Sequence, residues 1–337
     1  MNAAVIAFSE KGCALGERLA SHFVQSGDTA ELTRCAQGGL EEWAKAHFKC
    51  DALIFIGSCG IAVRAIAPFL AGKTSDPAVV LIDELASFTV PLLSGHIGGA
   101  NELAVRLARF LGATPVVTTA TDIRGMFAVD AWAVKQGLKI ANPERIKWVS
   151  ACLLAGKAIG IESTFPVTGR LPEGVALCDK GGDVLITHRK GGGEEALRLV
   201  PPVVTLGIGC KKGVAAETIE RTFELILKKA DCHPLAVARV CSIDKKAQEP
   251  GILAFCRTHA LPYKTFSAQE LMAVRGTYAA SAFVMQVTGA DNVCERSAIL
   301  GSGEGRQLLA NKEAADGVTM ALAISPFTLC FDKEEKT

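Results

Sequence analysis

Pro91-Leu92-Leu93-Ser94-Gly95-His96-Ile97-Gly98-Gly99-Ala100-Asn101-Glu102 is the stretch from which the fold is read. Phe88 to Leu93 is an apolar run with the character of a buried strand, and Gly95, Gly98 and Gly99 break it into a turn. From Ala100 the period changes: Ala100, Leu103, Ala104, Leu107, Ala108 and Leu111 fall on one face of a helix. Ser94, His96, Asn101 and Glu102 therefore crowd a strand-to-helix turn, where a helix start offers N–H donors and partial positive charge to an anion or oxyanion. A second apolar run, Ala113 to Val117, ends in Thr118-Thr119-Ala120-Thr121-Asp122. The whole predicts a βαβ unit with polar residues at the strand ends, where open α/β sheets hold ligands.

Towards the N-terminus the pattern predicts a strand at Ala3–Phe8, a helix from about Cys13 to Ser26, a helix containing Trp43 and Phe48, and a buried strand at Ala52–Ile56. Gly57-Ser58-Cys59-Gly60 follows, and then a helical stretch from Ile61 that Pro68 disturbs. This glycine turn lacks the GxGxxG spacing of a dinucleotide site, which disfavours NAD or FAD. It reads either as tight packing or as backbone N–H groups at Gly60 facing a carboxylate, with Arg64 one turn along and on the same sheet edge as the central loop. Thr74-Ser75-Asp76-Pro77 is a polar turn before the strand Ala78–Ile82, and Asp83-Glu84 opens a hairpin-like connection to Phe88. An Asp-Glu pair in a turn is more often solvated than catalytic.

Downstream, Asp122 and Arg124 precede a helix through Asp130 and Trp132, and Asn142-Pro143 marks a break. Brief strands at 158–161, 175–178 and 184–186 and a polar stretch at 188–195 predict a small β-rich section without catalytic signal. After Pro201-Pro202 a new α/β pattern begins: strand Val203–Ile208, turn Gly209–Gly213, helix Val214–Lys229, strand Ala236–Cys241, helix 250–259, strand Tyr263–Phe266 and a last strand at Val318–Ile324. The expected architecture is thus α/β in three domains. Residues 1–140 form an N-terminal α/β domain with a mainly parallel sheet, 141–200 a small β-rich middle domain and 201–337 a C-terminal α/β domain.

The 337 residues suffice for several cores, and 49% hydrophobic with 21% charged residues excludes a disordered chain. Lys+Arg 36 against Asp+Glu 35 gives a net charge of +1, so nucleic acid is not an expected partner and an anionic ligand must be met by local donors. The twelve cysteines include no CxxC pair, which argues against a zinc ribbon or a thioredoxin-like motif. The opening strand is too short for a secretory leader and no apolar run reaches membrane-spanning length, so a cytoplasmic, soluble protein with reduced thiols is expected. Cys256 and His259, at i and i+3, are two ligands of an incomplete metal site, and no protein-bound metal is expected.

Among the candidate residues His96 has the strongest chemical case, because imidazole takes and returns a proton near neutral pH. A loop histidine bonded to backbone is the competing reading. Ser94 lacks the G-x-S-x-G elbow and reads as a turn residue or substrate hydrogen bonder. Glu102 sits where a carboxylate also simply stabilises the helix dipole, and Asp122 where it also serves as an N-cap. Gly98 and Gly99 offer N–H groups to an oxyanion. Thr118, Thr119, Thr121 and Asp122, four polar residues in five positions, read as a wall for a substrate rich in carboxylates, with Arg124 suited to a bidentate contact. Lys211 and Lys212 form a possible second anion site or a solvated basic turn.

Gly60-Ile61-Ala62-Val63-Arg64-Ala65-Ile66-Ala67-Pro68, Thr74 to Val80, Leu92 to Glu102 and Thr118 to Asp122 together resemble the CbiG family of anaerobic cobalamin biosynthesis. Gly207 to Gly213, Val287 to Leu300 and Val318 to Ala323 resemble that family's C-terminal, CobE-like domain. The resemblance implies a cobalt-precorrin-5A hydrolase, which opens the δ-lactone of a ring-contracted cobalt-tetrapyrrole and releases acetaldehyde, giving cobalt-precorrin-5B. It implies a small-molecule partner that brings its own cobalt, no further cofactor, and contact with neighbouring enzymes of the pathway. In that reading His96, Glu102 and Asp122 are catalytic, with Glu102 or Asp122 orienting His96. Gly60, Arg64, Lys73, Ser94, Gly98, Gly99, Asn101, Thr119, Thr121, Arg124 and Lys211 bind substrate. A non-catalytic carrier of the same intermediate is the alternative.

Overall fold

The computed structural model describes residues 1–36, 38–72, 75–119 and 126–332. Lys73, Thr121, Asp122 and Arg124 lie outside the described residues. The chain divides into two compact units, Met1–Val134 and Lys135–Thr337.

The first unit runs β1 (Asn2–Ala7), α1 (Glu10–Gln25), β2 (Thr29–Arg34), α2 (Leu40–His47), β3 (Ala52–Ile56), α3 (Cys59–Ile66), β4 (Ala78–Ile82), β5 (Phe88–Leu93), α4 (Ala100–Leu111), β6 (Thr114–Pro115) and α5, which starts at Val129 and ends at Lys135. Its sheet has the order β2-β1-β3-β4-β5-β6. The first four are mutually parallel and β4–β5 is an antiparallel pair, after which β6 lies parallel to β5. Residues of β1, β3 and β4 are apolar almost without alternation because both faces are covered. Ala3, Val5 and Ala7 pack with Leu15, Leu19, Phe23, Leu103 and Leu107 on one face, whereas Ala4 and Ile6 pack with Trp43, Ala62 and Ile66 on the other. The edge strand β2, Thr-Ala-Glu-Leu-Thr-Arg, carries no apolar run and is mostly accessible, so the sequence pattern passes over it.

In the second unit, β7 (Lys139–Ile140), α6 (Ile146–Leu154), β8 (Ile159–Ser163), β9 (Val167–Thr168), β10 (Val175–Leu177), β11 (Val184–Ile186) and β12 (Leu197–Val200) come first. They supply a five-stranded sheet, β10-β8-β11-β12-β7. Next come β13 (Val204–Cys210), α7 (Ala216–Lys229), β14 (Val237–Ile243), α8 (Pro250–Thr258), β15 (Tyr263–Phe266), α9 (Ala268–Ala273), α10 (Ala282–Thr288), α11 (Cys294–Gly301), β16 (Gln307–Ala315), β17 (Val318–Ile324) and β18 (Leu329–Cys330). The sheet β15-β14-β13-β17-β16 is parallel over β13–β15 and antiparallel at β17 and β16. β13 extends through Cys210, so Gly209 and Cys210 lie in the strand and the turn is shorter than the sequence pattern suggests. α11 presses on β13 so closely that a Cβ on Gly207 would lie 1.8 Å from the Cys294 carbonyl oxygen. β18 pairs with β9, tying the C-terminal strand to the middle segment.

Candidate active site

The hairpin between β4 and β5 determines which edge of the sheet carries the site. β3 and β4 finish together, and the Gly57 N–H donates to the Ile82 carbonyl. β5 then runs back, with Ile82 opposite Thr89 and Val79 opposite Leu93. The loop 94–99 therefore emerges beside the start of β4, at the edge opposite Gly57–Gly60. This overturns the expectation that Gly60 and Arg64 share an edge with the central loop. Arg64 turns back to the Gly60 carbonyl at 3.4 Å, and neither residue lines the cleft described below. Asp83 stays at that far edge too, closing the hairpin by accepting N–H bonds from Leu85 and Phe88, and Glu84 bonds there to Ser9. The β5–α4–β6 crossover is nonetheless the expected parallel βαβ, and its strand ends do face the central loop.

The loop is built tightly against β4. Ser94 has a φ of 56°, and its Oγ donates to the Asp76 carbonyl at 3.0 Å. A non-glycine residue held left-handed costs on the order of 1–3 kcal/mol and marks a place worth examining for function. A Cβ on Gly98 would come within 2.4 Å of the Ser94 Cβ and 2.9 Å of its carbonyl oxygen, so only glycine fits. The first donors of α4 are consumed within the loop. The N–H groups of Gly99, Ala100 and Asn101 donate to the carbonyls of His96, Ser94 and Gly95 at 3.0, 3.1 and 3.0 Å. The oxyanion role expected of Gly99 and the helix start is therefore not available in this arrangement. Among the described residues Gly98 alone of these donors makes no such bond.

Among the described residues His96 meets a carboxylate that the sequence pattern did not single out, while Asp122 lies outside them. The His96 Nδ1 lies 3.3 Å from Oδ2 of Asp130, in the first turn of α5, and both side chains are largely covered. Burial alone would push the Asp130 carboxyl up; the hydrogen bond and charge of His96, aided by the Ala131 N–H, outweigh it and hold the group below its ordinary value. Glu102 lies exposed in the first turn of α4 and does not line the cleft. Asp130 was legible in principle: it is the lone charge in the apolar run Met126 to Val134, and a charge placed among apolar residues needs a partner. Asn101 is buried and its Nδ2 donates to Thr119 Oγ1 at 2.9 Å, tying the segment after β6 to the start of α4. Asp76, also unassigned by sequence reasoning, is buried and accepts N–H bonds from Ala71 and Gly72 at 3.0 and 3.1 Å. It fixes the rim formed by Leu70–Gly72.

These residues surround one cleft of about 500 Å³, bounded by Leu70–Gly72, Asp76, Pro91–Ile97, Asn101, Thr118, Thr119 and Asp130. The size suits a small molecule or one edge of a larger one. An imidazole backed by a carboxylate, beside hydroxyl and amide groups, can move a proton for a bound ligand. Among the described residues no three His, Cys, Asp or Glu side chains converge to hold a metal ion; His259 pairs with Glu220 at 2.8 Å and Cys256 is buried. No helix of the described residues is long and apolar enough to cross a membrane. Lys211 lies in the second unit, on a different cavity.

The central loop falls within residues 42–122, which match the family model described as Cobalamin synthesis G N-terminal. Residues 127–201 match its Cobalamin biosynthesis central region and residues 204–323 its C-terminus. A protein named cobalt-precorrin-5A hydrolase from Salmonella typhimurium is 33% identical over 96% of this chain and 97% of its own length. The chain belongs to the CbiG family. A second member, a cobalt-precorrin-5A hydrolase of Priestia megaterium, is 30% identical over 96% of this chain and 95% of its own. Protein CobE of a Sinorhizobium species is 34% identical over 39% of this chain and 84% of its own length.

Proposed function

We propose that the protein is a cobalt-precorrin-5A hydrolase of cobalamin biosynthesis. The observation that carries this reading is the end-to-end similarity to a protein of that name, 33% identical over 97% of its length. The geometry of the first unit supplies a fitting site. The lactone edge of the macrocycle enters the cleft, and His96, held by Asp130, takes a proton from water. The hydroxide adds to the lactone carbonyl and the acyl–oxygen bond breaks, leaving a carboxylic acid, which ionises to solvent, and an alkoxide on the former meso carbon. Collapse of the alkoxide to acetaldehyde breaks the carbon–carbon bond to the ring and leaves the electron pair on the macrocycle, which takes the proton held by His96. The oxygen of water ends in the carboxylate and the lactone ring oxygen leaves in acetaldehyde. Cobalt arrives as part of the substrate, so this scheme assigns the chain no metal of its own.

Support for the assignment of roles is local. Ser94, Asn101 and Thr119 line the cleft together with His96, and the Gly98 N–H, which makes no backbone bond within the loop, is the donor assigned to the developing oxyanion. Lys73, Thr121, Asp122 and Arg124 stay proposals made from sequence alone. The test is anaerobic incubation with cobalt-precorrin-5A, with trapping of acetaldehyde and the product mass recorded. Acetaldehyde over many turnovers is expected, slowed roughly a hundredfold or more by His96→Ala. Tight binding of substrate without acetaldehyde would make the protein a carrier instead.

A further inference from the structure

The second unit contains a larger cavity, of about 620 Å³, that the scheme above does not use. One wall is apolar: Phe283, Val284 and Val287 of α10 with Val293. Four lysines also line the cavity, Lys211, Lys212, Lys246 and Lys312. Lys246 is neutralised by Glu249 at 2.7 Å, whereas Lys211, Lys212 and Lys312 make no ion pair among the described residues. The single acidic lining residue, Asp316, faces Arg221 at 3.7 Å. On the apolar side Phe283 is 73% and Val287 54% exposed, although each borders a concave surface. Exposed apolar groups beside unpaired ammonium groups suit an occupant that offers a face to one and anions to the other.

We infer that this cavity binds an amphiphilic polycarboxylate, with its apolar body against α10 and its carboxylates on Lys211, Lys212 and Lys312. The cavity chemistry specifies an apolar polyanion. That the body is a flat tetrapyrrole rests on the function proposed above, and the second unit then holds the macrocycle in a site of its own.

The probe is uroporphyrin, an octacarboxylic porphyrin, titrated by fluorescence into the full-length protein. Saturable binding that weakens with salt is expected. The double variant Lys211→Ala/Lys312→Ala should bind roughly tenfold more weakly, the scale of two ion pairs at a surface. Phe283→Ser should weaken binding too, and His96→Ala should leave it unchanged. All three altered cavity side chains are at least partly exposed, so the variants keep their fold, which urea unfolding verifies. A competing small polyanion without an apolar body, tricarballylate, should not displace the probe. Dissociation constants within about twofold of wild type in both cavity variants, or binding lost on His96→Ala, would overturn the inference. Failure here is separable from failure of the hydrolase reading: probe binding needs no turnover, and acetaldehyde release needs no probe.

Discussion

Replacing Asp130 by Asn tests the central pair at the level of one atom contact. The substitution keeps the shape of a side chain at the start of α5 but removes the charge facing His96 Nδ1 at 3.3 Å. A hydrogen bond between ionised groups contributes about 1.5–3 kcal/mol, and 3.3 Å is long for one, so the lower half, about 1.5–2 kcal/mol, applies here. Because the imidazole gains its proton only as water is attacked, this loss falls on the transition state. At about 1.4 kcal/mol per factor of ten, kcat should drop roughly ten- to thirtyfold while KM stays near wild type. The pair is coupled in both directions: the imidazolium lowers the Asp130 pKa, so the carboxylate favours the imidazolium. In Asp130→Asn the acid limb of the kcat/KM profile should therefore move to lower pH. The assay is anaerobic acetaldehyde release across a pH series, with Asp130→Asn, His96→Ala and the double variant compared. The double variant should be no slower than His96→Ala, since Asp130 acts through the imidazole. An unchanged kcat and profile in folded Asp130→Asn, or fully multiplicative losses in the double variant, would refute the reasoning.

Further outcomes follow from packing and charge. Gly98→Ala pushes a methyl group into Ser94 and should cost the first unit about 1–3 kcal/mol in urea unfolding and slow turnover by displacing His96. Gly207→Ala meets the Cys294 carbonyl and the Ala298 nitrogen, backbone atoms that have no rotamer to yield; the second unit should lose about 3 kcal/mol or more, or fail to accumulate. Asp28 accepts from the N-terminal ammonium at 2.8 Å and from Arg106 at 3.1 Å, and these partners hold its carboxyl below the ordinary value of 3.8. Its folded pKa is depressed, so its stabilisation is present above about pH 4 and is lost as pH falls through the folded value. Unfolding at pH 7 and pH 3 should show a smaller acid loss for Asp28→Asn than for wild type.

Periodicity and composition along the chain were enough to locate β3, β4, β5 and α4, because a buried parallel strand is a continuous apolar run and α4 shows its apolar face in every turn. The same reading missed β2, which carries no apolar run, β12, which is only four residues long, and β16, whose register is irregular, so local pattern carries little of their pairing. The sequence also brought out His96, Ser94, Gly98, Asn101 and Thr119 as one cluster, since all lie at the ends of a single βαβ unit. What it left open was direction. A hairpin was visible at Asp83-Glu84, yet its consequence, that β5 runs against β4 and carries the loop away from Gly60 and Arg64, appears only once the register is known. Asp130, the carboxylate that His96 meets among the described residues, likewise lies 34 residues away on a helix outside the motif. Sequence spacing determines which groups can share one element; whether two groups on different elements touch depends on strand order, hairpin reversal and packing, which sum contacts over the whole sheet.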